Sequence, residues 1–110
     1  MNSIILKNIS KSPKINWIQL IDSHRSVIGK CFIEPGGELF KHKHDIPEYY
    51  YILNGRATMQ LGDKQLNLYQ NMFVTIPKDT YHCTINNYNS VFQFLYMFPT
   101  GPFYNINYFD

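Results

Sequence analysis

Two histidines, His42 and His44, stand two residues apart. On an extended chain both imidazoles therefore point to one face, while the neighbouring lysines point to the other. Glu48 follows after a turn that contains Pro47, and His82 begins another short strand further along the chain. A barrel that takes inward side chains from several strands could bring these groups together. Three imidazoles and a carboxylate suit a divalent first-row metal, and an octahedral ion would keep two open positions.

The spacing of these residues decides between a metal site and unrelated histidines, since a single histidine is more often a surface or core residue. The pattern reads Gly36, five residues, His42, one residue, His44, three residues, Glu48, six residues, Gly55. Five fixed positions at about one chance in 20 each make an accidental match rarer than about one in a thousand. The spacing therefore indicates a metal site.

This pattern resembles the first signature of the cupin superfamily at every fixed position. A second signature of that family is matched in part, because Pro77, His82 and Asn86 fall at the expected spacings. Asn71 and Asp79 stand where the family pattern has glycine. Asn and Asp are the non-glycine residues that best tolerate the left-handed region, so we expect both turns to be kept.

The resemblance implies a small antiparallel, jelly-roll-like cupin β-barrel with a metal inside its wider end, usually assembled as a dimer. The two signatures lie within residues 36–55 and 71–86. The expected metal ligands are His42, His44, Glu48 and His82. They would hold one divalent transition metal ion: Fe, Mn, Ni, Co, Cu or Zn.

Residues 47–55 and the tail 94–109 look like the corresponding parts of small cupins that include dimethylsulfoniopropionate lyases. In those enzymes a tyrosine two residues after the glutamate ligand acts as a base, and an aromatic pair closes the chain. The matching positions here are Tyr50 and the pair Tyr108 and Phe109. The resemblance implies that Tyr50 and Tyr108 are catalytic.

Tyr50 is also singled out by strand parity, independently of the family. It shares parity with Glu48, so both should face the interior, whereas Tyr49 and Tyr51 should face outwards. An adjacent divalent cation favours the phenolate, which could remove a proton next to a substrate carboxylate. The alternative is a packed aromatic ring whose hydroxyl contacts a neighbouring ligand.

Composition and turn signals predict the fold that positions these residues. The chain has 110 residues, of which 45% are hydrophobic and 16% charged, enough for one folded domain over residues 1–110. Eighteen aromatic residues and closely spaced turn signals predict an all-β fold of short strands. The predicted strands are Ile15–Ile21, Ser26–Ile33, Tyr49–Leu53, Ala57–Leu61, Met72–Ile76, His82–Ile85 and Val91–Phe98. A two-residue turn at Gly62 and Asp63 predicts a hairpin.

Several classes of protein are disfavoured. A net charge of +2 is too small to suggest a nucleic-acid partner. No apolar run approaches the roughly 20 residues that span a bilayer, and the start of the chain lacks a secretory signal, so we expect a cytoplasmic protein without a membrane partner. Cys31 and Cys83 lack metal-binding spacing and are expected to be half-buried thiols.

Three functions fit these features. The preferred one is a proton-abstraction lyase that acts on a small carboxylate-bearing molecule, resembling dimethylsulfoniopropionate lyase. The alternatives are an Fe(II)-dependent dioxygenase of a small thiol or acid, and a non-catalytic module that binds a small molecule.

Apolar residues near the N-terminus and on the outer strand faces indicate a homodimer. Residues 1–13 are expected to form an arm or edge strand, with Ile4–Ile9 crossing to the partner. Among the remaining polar residues, His24 is expected to be exposed, and Asn86 is expected to cap backbone groups at a strand end.

Overall fold

The computed structural model describes residues 14–110 of the chain. Within this range it contains ten β-strands and one short 3-10 helix. The predicted N-terminal arm and its crossing strand lie outside these residues. The strands are β1 (Ile15–Asp22), β2 (Val27–Ile33), β3 (Glu38–His44), β4 (Glu48–Asn54), β5 (Arg56–Leu61), β6 (Lys64–Tyr69), β7 (Phe73–Ile76), β8 (His82–Ile85), β9 (Phe92–Phe98) and β10 (Tyr108–Phe109). The 3-10 helix is Phe103–Asn105.

Two five-stranded antiparallel sheets face each other. One has the strand order β1-β2-β9-β4-β7 and the other β10-β3-β8-β5-β6. The predicted all-β, jelly-roll-like barrel is confirmed. Each predicted strand is found to within two residues, and the predicted hairpin turn joins β5 to β6. Three strands lie outside the predicted set: β3, of which the sequence predicts only the extended segment 42–44, β6, which only the hairpin turn indicates, and the two-residue β10, which its pairing with β3 makes a strand.

Strict alternation of side chains explains why these segments are strands. Every second residue of β2 and β9, and of β4 as far as Leu53, is buried, and the residues between them are half-buried. Side chains of an extended strand point alternately to opposite faces, so one set packs into the space between the sheets. Aromatic residues dominate this core on β9, where Phe92, Phe94, Tyr96 and Phe98 all point inwards.

Two tight turns use non-glycine residues in the left-handed region, as expected from the sequence. Asn71 has a φ of 71° and Asp79 a φ of 58°. Asn71 donates its N–H to the Ile52 carbonyl, and Asp79 donates its N–H to the His44 carbonyl. The departures from the family pattern therefore leave both turns intact.

Both cysteines are free, and their environments differ. Cys83 is half-buried, as expected, but Cys31 is completely buried on the inner face of β2. The prediction of two half-buried thiols is therefore wrong for Cys31. Within residues 14–110, no helix has the length and apolarity that crossing a membrane requires.

Asn86 is fully buried and satisfies three backbone groups at the end of β8. Its side-chain N–H groups donate to the carbonyls of Ile33 and Ser90, at 2.8 Å each. Its side-chain oxygen accepts from the N–H of Tyr88 at 3.0 Å. The capping role expected from the sequence is confirmed.

Replacement of this amide should lower the stability of the fold. In Asn86→Ala three backbone groups lose their partner in a buried site, so we expect the free energy of unfolding to fall by about 2–4 kcal/mol. Urea unfolding measures this change, with the exposed Asn67→Ala as the control. Equal midpoints for the two variants would contradict the role of Asn86.

Apolar side chains remain exposed on the first sheet, and they motivate the homodimer as a proposal. Ile18 and Leu20 on β1 are each 53% exposed, and Phe73 on β7 is 60% exposed. Exposed apolar patches commonly mark contact surfaces. We expect light scattering to give twice the chain mass at micromolar concentration, and Leu20→Lys to shift the protein towards the monomer. A monomeric wild-type protein would refute the homodimer.

Candidate metal centre

The four predicted metal ligands meet between the two sheets. His42 and His44 lie on β3, and His82 lies on the adjacent β8, directly opposite His42 in the register. Glu48 begins β4 in the other sheet. All four side chains are buried, and none is more than 6% exposed. The site therefore joins the two sheets through their inner faces.

The distances bring the ligand atoms into one cluster. The nitrogen atoms offered by His42, His44 and His82 lie within 4.8 Å of one another. Glu48 Oε1 lies 2.9 Å from His44 Nε2 and 3.6 Å from His82 Nε2. Ligands of one first-row ion, each about 2.1 Å from it, lie up to about 4.2 Å apart, so small inward movements would suffice.

Hydrogen bonds to the backbone decide which ring nitrogen is free. The Nδ1 atoms of His42, His44 and His82 lie 2.8, 2.7 and 2.9 Å from the carbonyl oxygens of Phe40, Ile46 and Thr80, respectively. A carbonyl oxygen only accepts, so each Nδ1 must donate its hydrogen. In the neutral ring the Nε2 atom then carries a lone pair, and this is the form that a metal-ligating histidine uses.

Some of the buried acceptor atoms in this cluster lack a donor. The Nε2 atom of His82 is buried and has no hydrogen-bond partner within residues 14–110. The 2.9 Å contact between His44 Nε2 and Glu48 Oε1 joins two acceptors unless a proton or another cation lies there. A buried acceptor without a partner costs free energy, and a divalent ion would satisfy all of them together. The residues present therefore fit a metal.

The protonation states of these groups also fit. Burial, reinforced by the neighbouring His82, lowers the pKa of His42 to about 3, so the ring is neutral. Burial raises the pKa of Glu48, but the imidazoles of His44 and His82 outweigh it and lower the pKa to about 2. Burial lowers the pKa of His44, and its hydrogen bond to Glu48 raises it overall. The close contact between His44 Nε2 and Glu48 Oε1 thus joins two of the groups that would hold a metal ion.

Tyr50 and Tyr108 border the same space. Tyr50 is 2% exposed and packs on Phe94, with ring centroids 4.2 Å apart. Tyr108 is 5% exposed, and its ring centroid lies 5.6 Å from that of His42 and 5.4 Å from that of His44. Burial and the Glu48 charge raise the pKa of both tyrosines well above the ordinary value. In the protein without a metal, both phenols are therefore proton donors.

A small cavity connects these groups. Its walls are Trp17, Cys31, Leu39, His42, Glu48, Tyr50, Phe94, Tyr96 and Tyr108. The cavity volume is about 20 Å³. This volume holds about one water molecule. The cavity therefore suits a small ligand, and anything larger requires a side chain to move.

Sequence reasoning missed Cys31 and Tyr96 as cavity residues. Strand alternation places both residues on inner faces, and this signal could have reduced the number of candidate cavity residues. It could not show that β2 and β9 are neighbours in the sheet, where Cys31 pairs with Phe94 and Tyr96 pairs with Gly29. His24 is exposed, as expected, and lies outside the cluster.

Comparison with known proteins agrees with this architecture. The family pattern described as "Cupin domain" matches residues 29–98. No curated protein matches the chain.

Among solved structures, an uncharacterised double-stranded β-helix protein from Klebsiella pneumoniae has a TM-score of 0.78 at 16% identity, over 90% of this chain and 87% of the other. A predicted oxalate decarboxylase from Thermotoga maritima has a TM-score of 0.75 at 19% identity, over 79% and 81%. The polyketide cyclase RemF from Streptomyces resistomycificus has a TM-score of 0.75 at 20% identity, over 86% and 70%. Likenesses at this identity show the fold alone.

The cluster predicts that loss of one imidazole removes the metal. We expect His44→Ala and His82→Ala to weaken metal binding more than about 100-fold, because changes outside the ligand set already cost 10-fold to 100-fold. Elemental analysis after identical preparation measures the metal per chain. The matched control is His24→Ala, which removes an exposed imidazole and should keep full occupancy. Full occupancy in both ligand variants would end the four-ligand hypothesis.

Proposed function

The chain belongs to the cupin domain family, and on that premise we propose that it is a mononuclear-metal protein that acts on a small carboxylate-bearing molecule. The proposed ligands are His42, His44, Glu48 and His82. The preferred reaction is an elimination that begins with removal of a proton next to the carboxylate. Tyr50 is the proposed base.

One observation carries this proposal: three buried imidazoles hydrogen-bond through Nδ1 to backbone carbonyls, and two of them, His44 and His82, have Nε2 atoms 2.9 and 3.6 Å from the Glu48 carboxylate. A purely structural histidine gains stability from satisfying both ring nitrogens. Among residues 14–110, His82 Nε2 has no hydrogen-bond partner, and the contact of His44 Nε2 is with the Glu48 carboxylate. Burying polar groups in this arrangement costs free energy unless a cation is bound. The arrangement therefore supports a cation-binding site.

A bound divalent metal would supply Lewis acidity, holding a substrate carboxylate and stabilising negative charge that develops beside it. The other steps fall to side chains. Tyr50 borders the cavity on the same strand face as Glu48, within reach of a ligand held there. Burial and the Glu48 charge keep its phenol protonated, so the proposed base requires the nearby cation to lower its pKa.

Tyr108 has a proposed supporting role. It enters the cavity from β10, where it pairs with His44. Its protonated phenol could orient the substrate or return a proton to the product. Trp17, Phe94 and Tyr96 complete a wall of aromatic rings around the cavity, and such rings favour an apolar or cationic leaving group.

The cavity limits the size of the substrate. Space for about one water molecule suits a compact acid, and the name of one fold neighbour, a predicted oxalate decarboxylase, refers to a small dicarboxylate. Dimethylsulfoniopropionate is the specific candidate that the tail resemblance supports. It is larger than the cavity, so its entry would require movement of an aromatic wall residue.

A second candidate is an Fe(II)-dependent dioxygenase of a small thiol or acid. The same four ligands would serve it, and dioxygen is small enough for the cavity, although its organic substrate would need the same movement of a wall residue as the lyase substrate. Oxygen uptake when substrate is added to iron-loaded protein separates it from the lyase. Saturable ligand binding without any product would instead indicate a binding module.

The proposed base predicts a selective loss of activity. We expect Tyr50→Phe to fold and to keep its metal while turnover falls by about 100-fold or more, because only the proton acceptor is removed. The matched control is Tyr51→Phe. This neighbouring tyrosine faces outwards, where its hydroxyl donates to Asn71 at 3.0 Å, and its loss should leave turnover unchanged.

Two measurements can overturn the proposal separately. Full activity of Tyr50→Phe on any identified substrate would exclude proton abstraction by this phenol. Dimethyl sulfide release from metal-replete protein that does not exceed that of a metal-free control would exclude dimethylsulfoniopropionate, and other small carboxylates would then be tested.

A further inference from the structure

The metal cavity shares a wall with a groove on the outside of the barrel. The groove has about 200 Å³ of space and is lined by Trp17, Gln19, Tyr96 and Phe103. Trp17 and Tyr96 also line the inner cavity. Their rings are 6.0 Å apart between centroids and meet edge to face. This aromatic pair therefore stands between the groove and the metal ligands.

The Tyr96 side chain is held in this position from two sides. Its hydroxyl donates to Gln19 Oε1 at 2.8 Å, which ties β9 to β1 across β2. Its ring lies directly over Gly29 of β2. A Cβ atom at Gly29 would meet the hydroxyl oxygen and two ring carbons of Tyr96 at 2.0–2.6 Å. Glycine at position 29 is therefore needed for this placement of the ring.

The opposite wall of the groove belongs to the C-terminal strap, which we define as residues 99–110. The N–H of Phe103 donates to Asp22 Oδ1 at 2.7 Å, at the end of β1. The side-chain amide of Asn107 donates to Asp45 Oδ2 at 2.9 Å, in the turn after β3. Both sheets thus hold the strap through hydrogen bonds. On the facing wall, the Tyr96 hydroxyl forms one side-chain hydrogen bond within residues 14–110, the bond to Gln19.

We infer that small ligands reach the metal cavity through this groove and that Tyr96, held by Gln19 over Gly29, limits the size of the ligands that pass. The inference rests on the proposed function only for the identity of the ligand. Within residues 14–110 the groove is lined by three aromatic rings and one amide, a lining that selects by shape. Compact carboxylates pass, and branched or ring-bearing ones are held back.

Cys31 provides a probe of access that needs neither metal nor substrate. Its thiol lines the inner cavity and is completely buried. In a Cys83→Ser background it is the single thiol of the chain. Metal-free protein is labelled with methyl methanethiolsulfonate or with its bulkier benzyl counterpart, and mass spectrometry follows the rate at a fixed pH. Burial raises the pKa of this thiol to about 12, so rates are compared between variants and not with free cysteine.

Tyr96→Leu and Gln19→Ala are expected to speed labelling by the bulky reagent about tenfold or more, with a smaller effect on the compact reagent. Gly29→Ala, which displaces the ring, should act in the same direction. The matched control is Tyr49→Leu, which removes a ring from the outer face of β4, where it stacks on Phe73. Asn86→Ala controls for labelling through unfolding, because it destabilises the fold away from the groove.

Equal rates for Tyr96→Leu and Tyr49→Leu would overturn the inference. So would an acceleration in Asn86→Ala as large as that in Tyr96→Leu, because access would then occur through unfolding. The proposed function fails by a different measurement, the metal content of the wild-type protein. If the protein binds no metal but is labelled size-selectively, the entrance at Tyr96 is supported and the metal site is excluded.

Discussion

Three buried imidazoles and one buried carboxylate lie close together in the interior of this barrel, and a bound cation would offset the free-energy cost of burying them. Each histidine is oriented by a backbone carbonyl that accepts its Nδ1 hydrogen, so the Nε2 atoms have no freedom to turn away. Two of these groups, His44 Nε2 and Glu48 Oε1, lie 2.9 Å apart. A divalent ion would satisfy the cluster more fully, since His82 Nε2 has no partner.

The rest of the fold maintains this cluster. His42 and His82 face each other on adjacent strands, while Glu48 reaches across from the opposite sheet, so the site depends on how the sheets pack. That packing is supplied by the aromatic residues of β9 and by the buried amide of Asn86. The C-terminal strap adds β10, whose Tyr108 closes the cavity beside His44. The same packing that makes the barrel stable therefore excludes bulk water from the ligands, which strengthens electrostatic interactions among them.

Much of this arrangement follows from local sequence. His42 and His44 must share a strand face because extended side chains alternate, and Tyr50 must share a face with Glu48 for the same reason. Asn71 and Asp79 adopt the left-handed conformation that their positions require. Cys31 shows the limit of such reasoning. Its thiol lines the cavity because β2 lies beside β9 in the sheet, and the local sequence does not encode that pairing.

The amino-acid sequence by itself determined the all-β class, most of the strands and the candidate metal ligands, because these depend on residue type and on spacing within short motifs. The tertiary structure decided which face of each sheet closes on the other, which tyrosines border the cavity, and that Gly29 leaves room for the Tyr96 ring. These features join residues that are far apart in the chain, such as Gln19 and Tyr96. No local periodicity encodes such a pair, since its geometry arises only when all the strands take their places in the two sheets.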